Sequence, residues 1–307
     1  TTAAETTVAD ETTETEAAEE TSQEETVDEE ENYDTGDASL DNIRNQDEIG
    51  EQELLVLSFG TSYNDSRRLT VGAIENDLES AFPDFSVRRG FTSNIIIDHV
   101  NKRDNVLIDD VDAAMNRAVD NGVKTLVVQP THLMHGAEYD ELTEAVENYK
   151  DKFESVSIAE PLLGEVGDSD DAVNDDKKAV AEPLLGEVGD DADTVNDDKK
   201  AVAEAITSEA VATANYDSLD AAKEDGVAFV FMGHGTSHTA KISYSQMQTQ
   251  MEQLGYENVF IGTVEGEPED TACEAVIEKL KNAGYKKVIL RPLMVVAGDH
   301  ANNDMAG

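Results

Sequence analysis

Val227-Ala228-Phe229-Val230-Phe231-Met232-Gly233-His234-Gly235-Thr236-Ser237 is the stretch that decides the fold. A continuous apolar run of strand length reads as a strand buried on both faces, the pattern of a parallel sheet sandwiched between helices. The run stops at His234, which sits between two glycines that let a ligand approach the bare backbone. Parallel sheets gather their ligand sites at the carboxyl ends of their strands, so an imidazole delivered there is a candidate for chemistry.

Two further strand ends carry matching groups. Lys287 to Val296 reads as a strand followed by Ala297-Gly298-Asp299-His300, and Val259 to Thr263 runs directly into Val264-Glu265-Gly266-Glu267. Two imidazoles and a carboxylate at the ends of neighbouring strands form a donor set suited to a divalent first-row metal ion. His234, Glu265 and His300 are therefore the candidate ligands, and the two histidines are also candidate proton acceptors.

Working outward, strand and helix patterns alternate from Glu53 onward. Strands are expected at 54–57, 86–91, 125–129, 156–159, 227–232, 259–263 and 287–296, with helices at 69–82, 111–120, 139–153, 243–254 and 268–282 between them. This rhythm predicts an α/β fold of parallel sheets flanked by helices. The halves also match each other. Leu57-Ser58-Phe59-Gly60-Thr61-Ser62 parallels Met232-Gly233-His234-Gly235-Thr236-Ser237, and Val127-Val128-Gln129-Pro130 parallels Ile289-Leu290-Arg291-Pro292, which sets Phe59 against His234 and Glu138 against His300. The expected organisation is a disordered acidic tail over 1–52, one Rossmann-like domain over 53–158, and a similar second domain over 203–307. Beyond His300 the pattern calls for a further helix and strand, so the second domain reads as truncated at its C-terminus.

Between the domains, at 159–202, Ala159 to Val180 recurs as Ala181 to Val202 with three changes, Ser169/Asp191, Asp170/Ala192 and Ala172/Thr194. Near identity marks a recent tandem duplication rather than a solenoid. One copy is expected to be a dispensable insertion.

A net charge of −46 leaves no basic stripe for phosphate, which argues against nucleic acid as a partner. The single cysteine, Cys273, rules out an internal disulfide and reads as a small core residue. No apolar run reaches membrane-spanning length. From Thr1 to Ile43 there is no Lys or Arg and sixteen residues are acidic, a composition that buries too little apolar surface to order a chain. A Thr/Glu-rich segment opening on Thr1 looks like the tether left by a removed leader, which suggests an extracytoplasmic protein with any membrane link through a lost N-terminal anchor. A cytoplasmic location is the alternative.

There is no Gly-x-Ser-x-Gly elbow, no phosphate-binding glycine loop and no helical His-Glu-x-x-His pair. Instead Phe91-Thr92-Ser93-Asn94-Ile95-Ile96, Pro130-Thr131-His132 with Gly136-Ala137-Glu138-Tyr139, Gly233-His234-Gly235-Thr236, Gly262-Thr263-Val264-Glu265-Gly266 and Ala297-Gly298-Asp299-His300-Ala301 together resemble the anaerobic, single-subunit sirohydrochlorin cobaltochelatases of the class II chelatase superfamily. The resemblance runs from about Glu53 to Gly307.

It implies two Rossmann-like domains around a tetrapyrrole, sirohydrochlorin, with cobalt(II) inserted as a substrate metal and no nucleotide consumed, in the route to cobalamin. It places the metal on His234, Glu265 and His300, and puts His132 among residues that line the cleft. Phe59, on the opposite wall, is then either an apolar surface against the ring or a core residue. Sirohydrochlorin carries eight carboxylates, so Arg67, Arg68, Arg89 and Lys241 are candidate cations for it. Iron or nickel as the inserted metal, or an exported haem- or metal-binding protein that keeps the fold without turnover, are the competing readings. A homo-oligomer is compatible with all of them.

Overall fold

The first sheet is built on β1 (Gln52–Ser58), in which Leu54 to Leu57 are all buried, as a central parallel strand requires. The computed structural model describes residues 35–164 and 198–298 together with Ala301 and Met305. β2 (Ser86–Phe91) and β3 (Thr125–Pro130) pair with β1 on either side, and β4 (Ser155–Ile158) pairs with β3, giving the all-parallel order β2-β1-β3-β4. Helices α1 (Asn64–Leu69), α2 (Val71–Ala81), α3 (Asn94–Asp104), α4 (Val111–Asp120) and α5 (Ala137–Glu147) make the crossovers.

The second sheet repeats the plan. α6 (Asp198–Thr213) and α7 (Leu219–Glu224) lead into β5 (Val227–Gly233), then α8 (Ile242–Gln253), β6 (Val259–Thr263), α9 (Cys273–Ala283) and β7 (Lys287–Pro292). Among the described residues its order is β6-β5-β7, all parallel, with β5 buried at every position.

The internal match extends to single hydrogen bonds. Thr92 N–H donates to Ser58 O and Ser93 N–H to Phe59 O in the first half; Val264 N–H donates to Gly233 O and Glu265 N–H to His234 O in the second. Thr131 N–H to Leu57 O is likewise mirrored by Leu293 N–H to Met232 O. In each sheet the chain leaves the middle strand toward one neighbour and later returns on the other side. The gap between the ends of β1 and β3, and that between β5 and β7, are therefore topological switch points, where open α/β sheets bind ligands.

Local chemistry explains the helix ends. Ser93, Asp110 and Ser218 cap α3, α4 and α7 by accepting from Ile96, Ala113 and Ala221 N–H, and α9 stops at Gly284, whose φ of 79° lies in the left-handed region. Helix α3 escapes the sequence reading because Ile95-Ile96-Ile97 shows no helical period. The helix expected over 69–82 is α2, preceded across Thr70 by the short α1 that the pattern did not mark, and the last strand ends at Pro292 rather than Val296.

One expectation is corrected. Composition extends the acidic tail to residue 52, but Thr35 onward belongs to the same compact unit as the sheets. Arg44 O accepts from Arg89 N–H, Gln46 Nε2 donates to Val87 O, and Ile43 and Ile49 pack on the first half's core, so the segment covers the exposed edge of β2. Its anchor is Asp41, buried against Arg67 and Arg89 at 2.7 Å each. The segment carries one cation of its own, Arg44, against its acids; the arginines that pair with Asp41 arrive from elsewhere in the fold. Residues 1–34 lie outside the described residues, as does most of the duplicated segment.

The two halves interlock reciprocally. Met134, four residues past β3, is buried with Phe229, Tyr244 and Met247 of the second half, while Val296, four residues past β7, packs with Val71 and Ile97 of the first. Ala297 N–H also donates to Ser66 Oγ at 3.1 Å.

Candidate active site

His234 follows β5 directly. Its Nδ1 lies 2.8 Å from the Gly235 carbonyl, and because a carbonyl only accepts, Nδ1 carries the proton and Nε2 the lone pair. That is the tautomer a metal-ligating or proton-accepting imidazole needs, fixed by its own backbone. The turn beneath it is tightly determined. A Cβ on Gly233 would fall inside the Tyr244 ring, and the Tyr244 hydroxyl accepts from Gly235 N–H at 3.2 Å. Burial pushes the Tyr244 phenol up, so it remains protonated.

Glu265 is brought to the same corner by the backbone. Its N–H donates to His234 O at 2.8 Å, extending the β5–β6 pairing beyond the Gly233–Thr263 pair. Gly235 has a φ of +94°, and a Cβ there would come 2.9 Å from Glu265 Cβ and 3.1 Å from Glu267 O. The glycine is thus required for His234 and Glu265 to stand side by side. Both side chains are exposed. His300 lies outside the described residues, and among the described residues no group of three His, Cys, Asp or Glu side chains is assembled as a metal cluster.

On the first-half side, His132 follows β3. Burial holds its imidazole below the usual histidine range, with Glu138 pulling weakly the other way, and neither ring nitrogen has a hydrogen-bond partner. A buried imidazole with two unsatisfied nitrogens calls for an explanation. Phe59, at the end of β1, is 44% exposed, an aromatic face left in water at the switch point.

Arg89 is corrected. The sequence offers it to a ligand, yet it is fully buried with Nε and Nη2 on Glu75 and Nη1 and Nη2 on Asp41, so every donor edge is occupied by protein. Arg67 is spent in the same way on Asp41, Asn64 and the Thr61 carbonyl. Arg68 pairs with Asp65 at the surface, and Lys241 pairs with Glu267 beside the His234 corner.

Two residues that sequence reasoning did not select now matter. Glu138, in the first turn of α5, is exposed and close enough to act electrostatically on both His132 and Tyr244, so it bridges the two sides. The signal was present in its alignment with His300. Tyr244 holds the His234 turn from below, and nothing in the local sequence of α8 marks it, since its partner lies nine residues away across a loop.

The chain matches the cobalt chelatase (CbiK) family over residues 52–221 and again over 177–307, the two matches overlapping where the second repeat copy and α6 lie. It is 30% identical over 253 residues to a sirohydrochlorin cobaltochelatase of Salmonella typhimurium, covering 82% of this chain and 79% of that one. It is also 27% identical over 277 residues to the sirohydrochlorin cobaltochelatase CbiKC of Nitratidesulfovibrio vulgaris, covering 88% of this chain and 81% of the relative.

Proposed function

Since the chain belongs to the cobalt chelatase (CbiK) family, we propose that it inserts cobalt(II) into sirohydrochlorin, with no nucleotide taking part. The observation that supports the site assignment is the clamp between β5 and β6, in which one 2.8 Å hydrogen bond holds the His234 and Glu265 backbones together at neighbouring strand ends.

Insertion forms bonds from cobalt to the ring nitrogens and releases two pyrrole protons. His234 Nε2 and Glu265 hold the dication at the second-half wall, with His300 as the third ligand. Imidazole and carboxylate bind cobalt(II) firmly enough to position it and still exchange it to ring nitrogens, which a closed thiolate site would not. As the metal leaves, each imidazole lone pair becomes an acceptor for a pyrrole proton, the task to which a histidine near neutral pH is suited. Glu138, reaching the site from the first half, offsets positive charge as the protons come off. Phe59 offers its exposed face to the macrocycle, and a ring or side-chain group of the tetrapyrrole gives the unsatisfied His132 nitrogens a partner.

The test is to mix purified protein with sirohydrochlorin and cobalt(II), iron(II) or nickel(II) and follow ring absorbance against the spontaneous rate. Acceleration with cobalt is expected, and His234→Ala should lower it by about 10²- to 10⁴-fold. No acceleration with any metal would overturn the reading, and full activity in His234→Ala would remove that residue from the mechanism.

A further inference from the structure

The short turn of 3₁₀ helix at Thr239–Lys241, between the His234 loop and α8, presents two donors to either side of the site. Lys241 Nζ lies 2.7 Å from Glu267 Oε2, and Glu267 belongs to the loop that carries Glu265. His238 accepts from Ala240 N–H on Nδ1 at 3.2 Å, which leaves the ring proton on Nε2, 3.5 Å from Asp140 Oδ2. Asp140 comes from the first half, two residues beyond Glu138 on α5. One three-residue turn and the residue before it are thus held by two carboxylates from different elements, one on each wall.

We propose that this turn reads the carboxylate side chains of the macrocycle, and that Glu267 and Asp140 occupy the two donors as stand-ins until substrate carboxylates replace them. The proposal rests on the reading of the substrate as a polycarboxylate tetrapyrrole and adds the means by which a chain of net charge −46 admits one. Arg67 and Arg89 are no alternative, because both are buried and saturated. Lys241 and its partner are both about two-fifths exposed, so the pair opens without unpacking the core. Exchanging one carboxylate for another on an exposed ammonium costs little, since such a pair is weak in water. The gain comes once the ring excludes water around the new pair.

The experiment is steady-state cobalt insertion into sirohydrochlorin by the full chain, with KM and kcat separated. Lys241→Gln should raise KM about five- to tenfold with kcat within about twofold, and Lys241→Arg should stay within about twofold on both. Glu267→Gln removes the stand-in, so its KM should fall below wild type. A merely structural ion pair predicts the reverse, with Lys241→Gln and Glu267→Gln impaired alike, and that outcome overturns the proposal. An unchanged KM in Lys241→Gln also overturns it while leaving the chelatase reading intact. A wild-type protein that neither binds nor turns over sirohydrochlorin overturns the reading beneath both.

Discussion

His132 follows β3 with an imidazole that the protein leaves unpartnered. Its imidazole is held neutral by burial, with both nitrogens unsatisfied. Because the folded pKa lies below the value of 6.5 that the unfolded chain keeps, the unfolded state binds a proton more readily as the medium acidifies. His132 therefore costs no stability above pH 6.5, and its penalty grows as pH falls through 6.5 toward the folded value. In His132→Gln the loss of unfolding free energy between about pH 7.5 and about pH 5.5 should be smaller than in wild type, measured by urea titration at each pH. An equal loss would mean that the imidazole is already solvated. Tyr244, Gly233 and Gly235 show the opposite condition, in which every contact is satisfied and each glycine is demanded by a named neighbour.

At the scale of elements, the segment from Thr35 to Glu51 is joined to the first half chiefly through charge. Asp41 holds Arg67 and shares Arg89 with Glu75, which itself lies 3.4 Å from Arg44, so two acids and three arginines are buried together. Burial pushes the Asp41 carboxyl up, but the hydrogen bonds and charges of Arg89 and Arg67 outweigh it and hold it below its ordinary 3.8. The stabilisation it gives is complete above that value and is lost as pH falls through the folded pKa. Asp41→Asn leaves buried guanidinium charge uncompensated and should cost about 3 kcal/mol in urea unfolding at neutral pH. It should also expose the edge of β2, which faster amide exchange at Val87 to Phe91 would report. A cost under about 0.5 kcal/mol would show that Glu75 alone suffices. This segment also marks a limit of composition as a guide: acidity predicted solvation, and only the folded partner decided otherwise.

The whole molecule is a duplicated scaffold with its chemistry divided unequally. Equivalent strand ends carry Phe59 in one half and His234 in the other, while Met134 and Val296 cross reciprocally and make the halves a single packing unit. Into this unit the 22-residue duplication is inserted, and its second copy supplies the first turns of α6, where Lys199 is buried. Deleting 181–202 joins Val180 to Ala203 and restores the same Asp-Lys-Lys-Ala-Val lead into the helix from the first copy. The deletion variant should therefore keep cobalt insertion within about twofold and its melting temperature within about 4 °C, the shift that 1–2 kcal/mol produces in a chain of this size. Loss of folding would show that both copies have been incorporated into the core.

Much of this was legible in the sequence because it depends on local pattern. Continuous apolar runs specified the buried central strands β1 and β5, though not β7, whose described residues are exposed or half-buried; glycines at strand ends marked where the backbone must turn sharply, and the Gly-His-Gly-Thr match with Phe-Gly-Thr identified which half bears the imidazole. What only the tertiary structure decided depends on partners distant along the chain. Arg89 reads as a free cation in sequence but is enclosed by Asp41 and Glu75, and the segment from Thr35 to Glu51 reads as solvated but is held by Arg67 and Arg89 through Asp41. Glu138 and Tyr244 became part of the site through a loop and a helix that no spacing rule connects. Apolar periodicity is written into neighbouring residues, whereas the fate of a charge is set by whichever group the fold places within a few ångströms of it, and in a chain this acidic that placement decides which cations remain for a ligand.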